Sequence, residues 1–116
     1  MIRLKNAAVS LDNVHPRIFL AIGFAAPIWE RYGSPDLWVT AANEAGHTTN
    51  PDPQRQYHRL PDGRCQAADL RTKSIPHAAD RQAACIELAG ILDLSYDVLF
   101  EKPGQDGEHC HVQVRV

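Results

Sequence analysis

Residues 108–116 read Glu108-His109-Cys110-His111-Val112-Gln113-Val114-Arg115-Val116. From His109 onward polar and apolar side chains alternate strictly, and alternation with a period of two is the mark of an extended strand with two unlike faces. Cys110, Val112, Val114 and Val116 share the apolar face and are expected against the core. His109, His111, Gln113 and Arg115 share the other face. Two imidazoles therefore point the same way, off the core. That arrangement suits a metal site lining a groove, and it equally suits a solvated strand with two idle histidines.

Pro103, Gly104 and Gly107 separate this strand from Tyr96–Glu101, so the two are expected to form an antiparallel hairpin. Upstream, Pro76–Leu92 reads as a helix capped by Ser74, with Pro76 in its first turn. Ala79, Ala83, Ile86 and Gly90, widened by Cys85, Leu88 and Ala89, make its apolar face, with Asp80, Arg81 and Glu87 outside. Cys65–Thr72 is a further extended segment in which Ala67, Asp69 and Arg71 alternate with Gln66, Ala68 and Leu70. Leu37–Ala41 is rich in β-branched and aromatic residues and reads as a strand. Asn43–Gln56 carries Gly46, Pro51 and Pro53 and reads as a long irregular loop.

A first helix covers Ile18–Tyr32. His15-Pro16 marks its start, with His15 at the surface or capping. Ile18, Ile22, Ala25 and Trp29 lie on one face. Pro27 is expected to kink or split it, and Gly33 with Ser34-Pro35 ends it. Met1–Val14 reads as a lead-in. The order helix, strand, loop, strand, helix, hairpin predicts an α+β domain in which a small antiparallel sheet packs against two main helices. Residues 1–116 are expected to form one domain.

Bulk properties exclude some classes. A net charge of −2 and scattered arginines give no field for nucleic acid or an anionic membrane. The longest apolar run, Ile18–Trp29, is too short to span a bilayer and is interrupted by Pro27. Cys65, Cys85 and Cys110 form no CxxC pair and read as small buried hydrophobes in a chain made in a reducing compartment. Met1–Asp12 has no signal-peptide pattern. The 6 histidines are a rich supply of ligands for 116 residues.

His58, Asp69 and His111 together make a His-Asp-His set of the kind that holds zinc at about 2.0–2.2 Å. His58 lies before one strand, Asp69 on it and His111 on another; neighbouring strands lie about 4.8 Å apart, so the three can converge on one ion. Glu108, three residues before His111, is placed to take a proton from water whose pKa a metal lowers from about 15.7 towards about 7. Each residue also has a plain structural reading. Asp69 can pair with Arg71 or Arg64, His58 can be an exposed loop residue, and Glu108 can be a solvated turn residue.

Tyr57-His58, Ala67-Ala68-Asp69-Leu70-Arg71-Thr72, Tyr96-Asp97-Val98-Leu99-Phe100-Glu101 and His109-Cys110-His111-Val112 carry a resemblance. In this order they resemble the zinc D-Ala-D-Ala carboxypeptidase and L-alanyl-D-glutamate endolysin family, which belongs with the lysostaphin and hedgehog-like zinc domains. The likeness runs from the first helix to the last strand, and Gly46-His47 is similar to a family loop. It implies zinc held by His58, Asp69 and His111, with Glu108 as catalytic base and His109 steadying the oxyanion or moving a proton. Among Arg55, Arg59, Arg64 and Arg71, it implies Arg71 first as the partner of a substrate carboxylate. The segment between His58 and Asp69 is longer than in the family, and Pro103–Gly107 reads as an insertion that leaves Glu101 competing with Glu108 for the base role. The resemblance implies hydrolysis of peptide bonds in peptidoglycan stem peptides, endo- or carboxypeptidase, by a monomer without membrane insertion. Made in the cytoplasm, it would act on the bacterial cell wall in phage or prophage lysis. A non-catalytic zinc-binding domain and a phage structural or adaptor domain of the same fold are the alternatives.

Overall fold

A computed structural model describes residues 1–43 and 64–115. His47, Arg55, His58, Arg59 and most of the expected irregular loop lie outside the described residues, as does Val116. The described residues have an α+β architecture. In chain order they give β1 (Ile2–Leu4), α1 (Pro16–Arg31), β2 (Leu37–Ala41), β3 (Ala67–Arg71), α2 (Ala78–Ile91), β4 (Tyr96–Glu101) and β5 (His109–Val114). The strands form one sheet in the order β1-β2-β3-β5-β4. Every pairing is antiparallel except β1 with β2.

β1 corrects the expected lead-in. Its three residues are exposed, so no buried face betrays it in the sequence. Backbone bonds define it instead: the Leu37 amide donates to the Met1 carbonyl at 2.9 Å, and the Lys5 amide donates to that of Val39 at 2.9 Å.

α1 begins as its sequence directs. Pro16 opens it, and His15 caps it by accepting the Arg17 amide on Nδ1 at 3.0 Å. Ile18, Ala21, Ile22, Ala25, Ile28 and Trp29 are buried, at the spacing of one helical face. The helix continues through Pro27 instead of dividing there. Pro27 and Gly23, whose carbonyl loses its helical donor, both lie on the exposed side, where water can take that carbonyl. Trp29 is fully buried, and its indole N–H donates to the Arg71 carbonyl at 2.8 Å. This bond ties the helix to the end of β3.

α2 is rotated relative to its expected face. Ala84, Cys85 and Leu88 are buried, whereas Ile86 is 64% exposed and Ala79 and Gly90 are exposed. The buried stripe is narrow and made of small residues, so several apolar assignments fit the sequence equally well. The contacts with α1 and the sheet select one of them. The N-cap is His77, not Ser74, and it offers no side-chain cap bond. Arg81 turns inward, its Nε donating to the Ile75 carbonyl at 2.9 Å.

The core lies between the helices and one face of the sheet. Val39, Leu70, Cys110, Val112 and Val114 meet Ile18, Ile22, Ala25, Trp29, Ala84 and Leu88 there. Cys65, Cys85 and Cys110 are all buried. Burying one such large aliphatic side chain contributes about 1.5–3 kcal/mol, which fixes β5 with its even-numbered residues inward. A slip of one residue would exchange the two faces. Among the described residues no helix is long and apolar enough to cross a membrane.

Candidate metal centre

With Cys110 and Val112 on the core, His109 and His111 project from the opposite face. The strand register then fixes their neighbours. In β3, Asp69 stands opposite His111 and Arg71 opposite His109. In β4, Glu101 stands opposite His109 and Leu99 opposite His111. Two histidines from the central strand β5 therefore meet one carboxylate from each side.

The ligand-type atoms of Asp69, Glu101, His109 and His111 all lie within 4.8 Å of one another, a group that could hold a metal ion. His109 Nε2 is 3.1 Å from Glu101 Oε1 and 3.6 Å from Asp69 Oδ1. His111 Nδ1 is 3.8 Å from Glu101 Oε1 and 2.6 Å from Asp69 Oδ1. Donors around a tetrahedral ion at about 2.1 Å stand roughly 3.4 Å apart. Three of these four histidine–carboxylate separations are close to that spacing. The fourth is a direct hydrogen bond, which would open to admit an ion.

The outer nitrogens explain why the inner ones suit a cation. His109 Nδ1 lies 2.6 Å from the Gly107 carbonyl, which can only accept, so Nδ1 carries the proton. In neutral His109 the Nε2 lone pair then faces two carboxylates. His111 Nε2 is 3.0 Å from Gln113 Oε1, which leaves its Nδ1 facing Asp69 in the same way. Anchoring the far nitrogen on an oxygen acceptor is what orients metal-binding imidazoles. Burial pushes the His111 imidazolium down, but the hydrogen bonds to Asp69 and Gln113 and the charges of Asp69 and Glu101 outweigh it, so its pKa is raised.

Exposure separates the four. The His111 side chain is 8% exposed and that of Glu101 44%. Glu101 thus stands at the solvent edge of the group.

Glu108 is placed elsewhere. Its position in the alternation sends it to the core side, where it is 4% exposed. Thr72 Oγ1 donates to its Oε1 at 2.5 Å, and the Gly104 amide donates to its Oε2 at 2.8 Å. Arg81 Nε stands 3.8 Å from Oε1. Burial pushes the Glu108 carboxyl up, but these two bonds and the charges of Arg81 and Lys73 outweigh it, leaving its pKa lowered. Both oxygens are thus engaged in tying the β4–β5 turn to the end of β3. Arg71 lies over the Trp38 ring at 5.5 Å and lines, with Asp69 and His109, a cleft of about 340 Å³ beside the cluster.

Of the residues singled out in the sequence, Asp69, His109 and His111 come together, Arg71 is adjacent, and Glu108 stands apart. His58 lies outside the described residues. Glu101 takes a place that the sequence offered only as a second choice for the base, and Gln113 and Gly107 were not singled out. Two signals bear on this. Counting the alternation back from Cys110 puts Glu108 on the core face, and closing the hairpin puts Glu101 across from His109. No protein-family model matches the chain, nor does any curated protein or solved structure.

Proposed function

We propose that this chain is a zinc-dependent hydrolase that cleaves peptide bonds in the stem peptides of bacterial peptidoglycan. The observation that carries the metal reading is the convergence of two anchored imidazoles and two carboxylates on the open face of the sheet. Imidazole nitrogen with carboxylate oxygen is a zinc-type donor set, whereas calcium and magnesium take oxygen ligands. The substrate class rests on the motif resemblance: His58, Ala-x-Asp ending at Asp69, and His109-x-His111. That resemblance also supports action at the cell wall, as in phage or prophage lysis, by a monomer.

In this reading Asp69, His109 and His111 hold the ion. The Gly107 carbonyl keeps the proton of His109 on Nδ1, so Nε2 is a ligand atom and not a donor to an oxyanion. A divalent ion bound there polarises a carbonyl and lowers the pKa of a water in contact with it. Glu101, half-exposed beside both histidines, takes the proton of the attacking water and passes it to the leaving amine. Arg71, steadied on Trp38, offers its guanidinium fork to a substrate carboxylate.

The test is elemental analysis of the purified chain together with a muropeptide cleavage assay. About one zinc per chain is expected, with cleavage. Zinc is lost in His111→Ala and His109→Ala, while Glu101→Gln keeps zinc and loses cleavage. Absence of metal after reconstitution overturns the proposal. Retained zinc in His109→Ala with loss in His58→Ala moves the third ligand to His58. Zinc without cleavage leaves a binding domain.

A further inference from the structure

The cleft beside the metal centre has a second character that zinc chemistry does not use. Lys5, Arg71, Lys73 and Lys102 all line it, together with Asp69 and His109. The four cations come from the end of β1, from β3, from the segment after β3 and from the turn after β4. Lys5, the neighbouring Arg71 and Lys73, and Lys102 are far apart in the sequence, and the sheet order brings them round one opening. The whole chain carries a net charge of −2, so the cleft is a local reversal of sign.

Among the described residues their charge is left largely unmatched. Asp69 is engaged with His111, and Glu108 is buried and held by Thr72 and Gly104. Lys73 stands 3.9 Å from a fully exposed Asp106, a pair of little worth in water. Among the described residues, Lys5, Arg71 and Lys102 have no carboxylate within ion-pairing distance. Lys102 is held in a left-handed backbone conformation, φ +53°, that side-chain-bearing residues seldom adopt. Its side chain runs over Gly107, with Nζ 3.9 Å from where a Cβ would stand. Gly107 itself adopts φ +81° and lines the same cleft. The Lys102 ammonium thus stands beside Gly107 at the cleft wall. Cations gathered round a concave opening focus their field on whatever enters it.

We propose that this cleft is a recognition site for a polyanionic segment of the substrate, the clustered carboxylates of an acidic peptide. Lys5, Lys73 and Lys102 form an anion subsite beyond Arg71. The inference rests on the hydrolase reading only in naming this segment as substrate, because the cleft opens on the same centre. It fixes the direction of binding: the anionic end lies over β2, β3 and the β4–β5 turn, and the scissile bond lies over β5.

Direct titration tests it without catalysis. Tri-glutamate and inorganic phosphate are titrated into the full chain by calorimetry at low salt, as purified and after dialysis against chelator. Tri-glutamate is expected to bind in both states, more weakly as salt rises. Binding is expected to fall at least tenfold in the double variant Lys5→Gln/Lys102→Gln, with circular dichroism and zinc content unchanged. Equal affinity in the double variant overturns the inference, and so does failure of both probes to bind. Phosphate binding without tri-glutamate binding overturns the peptide assignment and makes a phosphate ester the anion. Charge-dependent binding in a chain that takes up no zinc sinks the hydrolase reading and leaves the anion site standing.

Discussion

Replacing Glu108 by Gln separates a structural carboxylate from a catalytic one. In the parent, the carboxylate accepts two charge-assisted hydrogen bonds, from Thr72 at 2.5 Å and Gly104 at 2.8 Å, in a nearly water-free position. Hydrogen bonds to a charged group are worth about 1.5–3 kcal/mol each. The amide keeps one acceptor oxygen and presents an NH₂ where the second was, so one bond is lost and the other weakened. Arg81, which also faces this carboxylate at 3.8 Å, loses its counter-charge. The expected cost is about 2–3 kcal/mol. For a chain of this length that lowers the melting temperature by about 8–12 °C. Glu101→Gln, at a side chain 44% exposed, should stay within about 0.5 kcal/mol of the parent.

Thermal and urea unfolding of the metal-free proteins at neutral pH measure both variants. The pH dependence supplies a second check. The Glu108 pKa is lowered by folding, so its stabilisation is present above the unfolded carboxyl value of about 4.3 and lost as pH falls through the folded value. The gap between parent and Glu108→Gln should therefore be level near neutrality and close on acidification below about pH 4.3. The reasoning is refuted if Glu108→Gln melts with the parent yet loses hydrolysis with zinc retained. That result would return the base role to Glu108.

Three further outcomes are expected. Gln113→Ala should weaken metal binding by about 10–100-fold while leaving the fold intact, because the His111 Nε2–H loses its acceptor; competition with a chelator measures this. On α2, Leu88→Ala should cost about 2–5 kcal/mol, whereas Ile86→Ala, 64% exposed, should change urea stability by less than about 0.5 kcal/mol. Cys110 should react with thiol reagents only as fast as the chain opens, since hydrogen bonding with Cys85 and burial push its thiol well up. Rapid labelling of the native protein would mean that β5 is slipped by one residue.

Local structure is legible along the chain. Period-two alternation from Cys110 to Val114 marked the strand and its buried face, and the spacing of Ile18, Ile22, Ala25 and Trp29 marked α1. Proline and glycine marked the turns. The α+β class and the shared face of His109 and His111 follow from these alone, because a strand and a helix each write their own geometry into neighbouring residues. Where the pattern was thin, tertiary contacts decided. β1 buries no side chain, so only its backbone pairing with β2 reveals it. The alanine-rich α2 admitted several apolar faces until α1 and the sheet chose Ala84, Cys85 and Leu88. The site shows the same division. Asp69 and His111 were legible as ligand types on strands, but the antiparallel register brought Glu101 to His109 and turned Glu108 inward to Thr72. Register depends on which strands pair and where the hairpin closes. Those are non-local choices, settled by burying the even-numbered face of β5 against the helices.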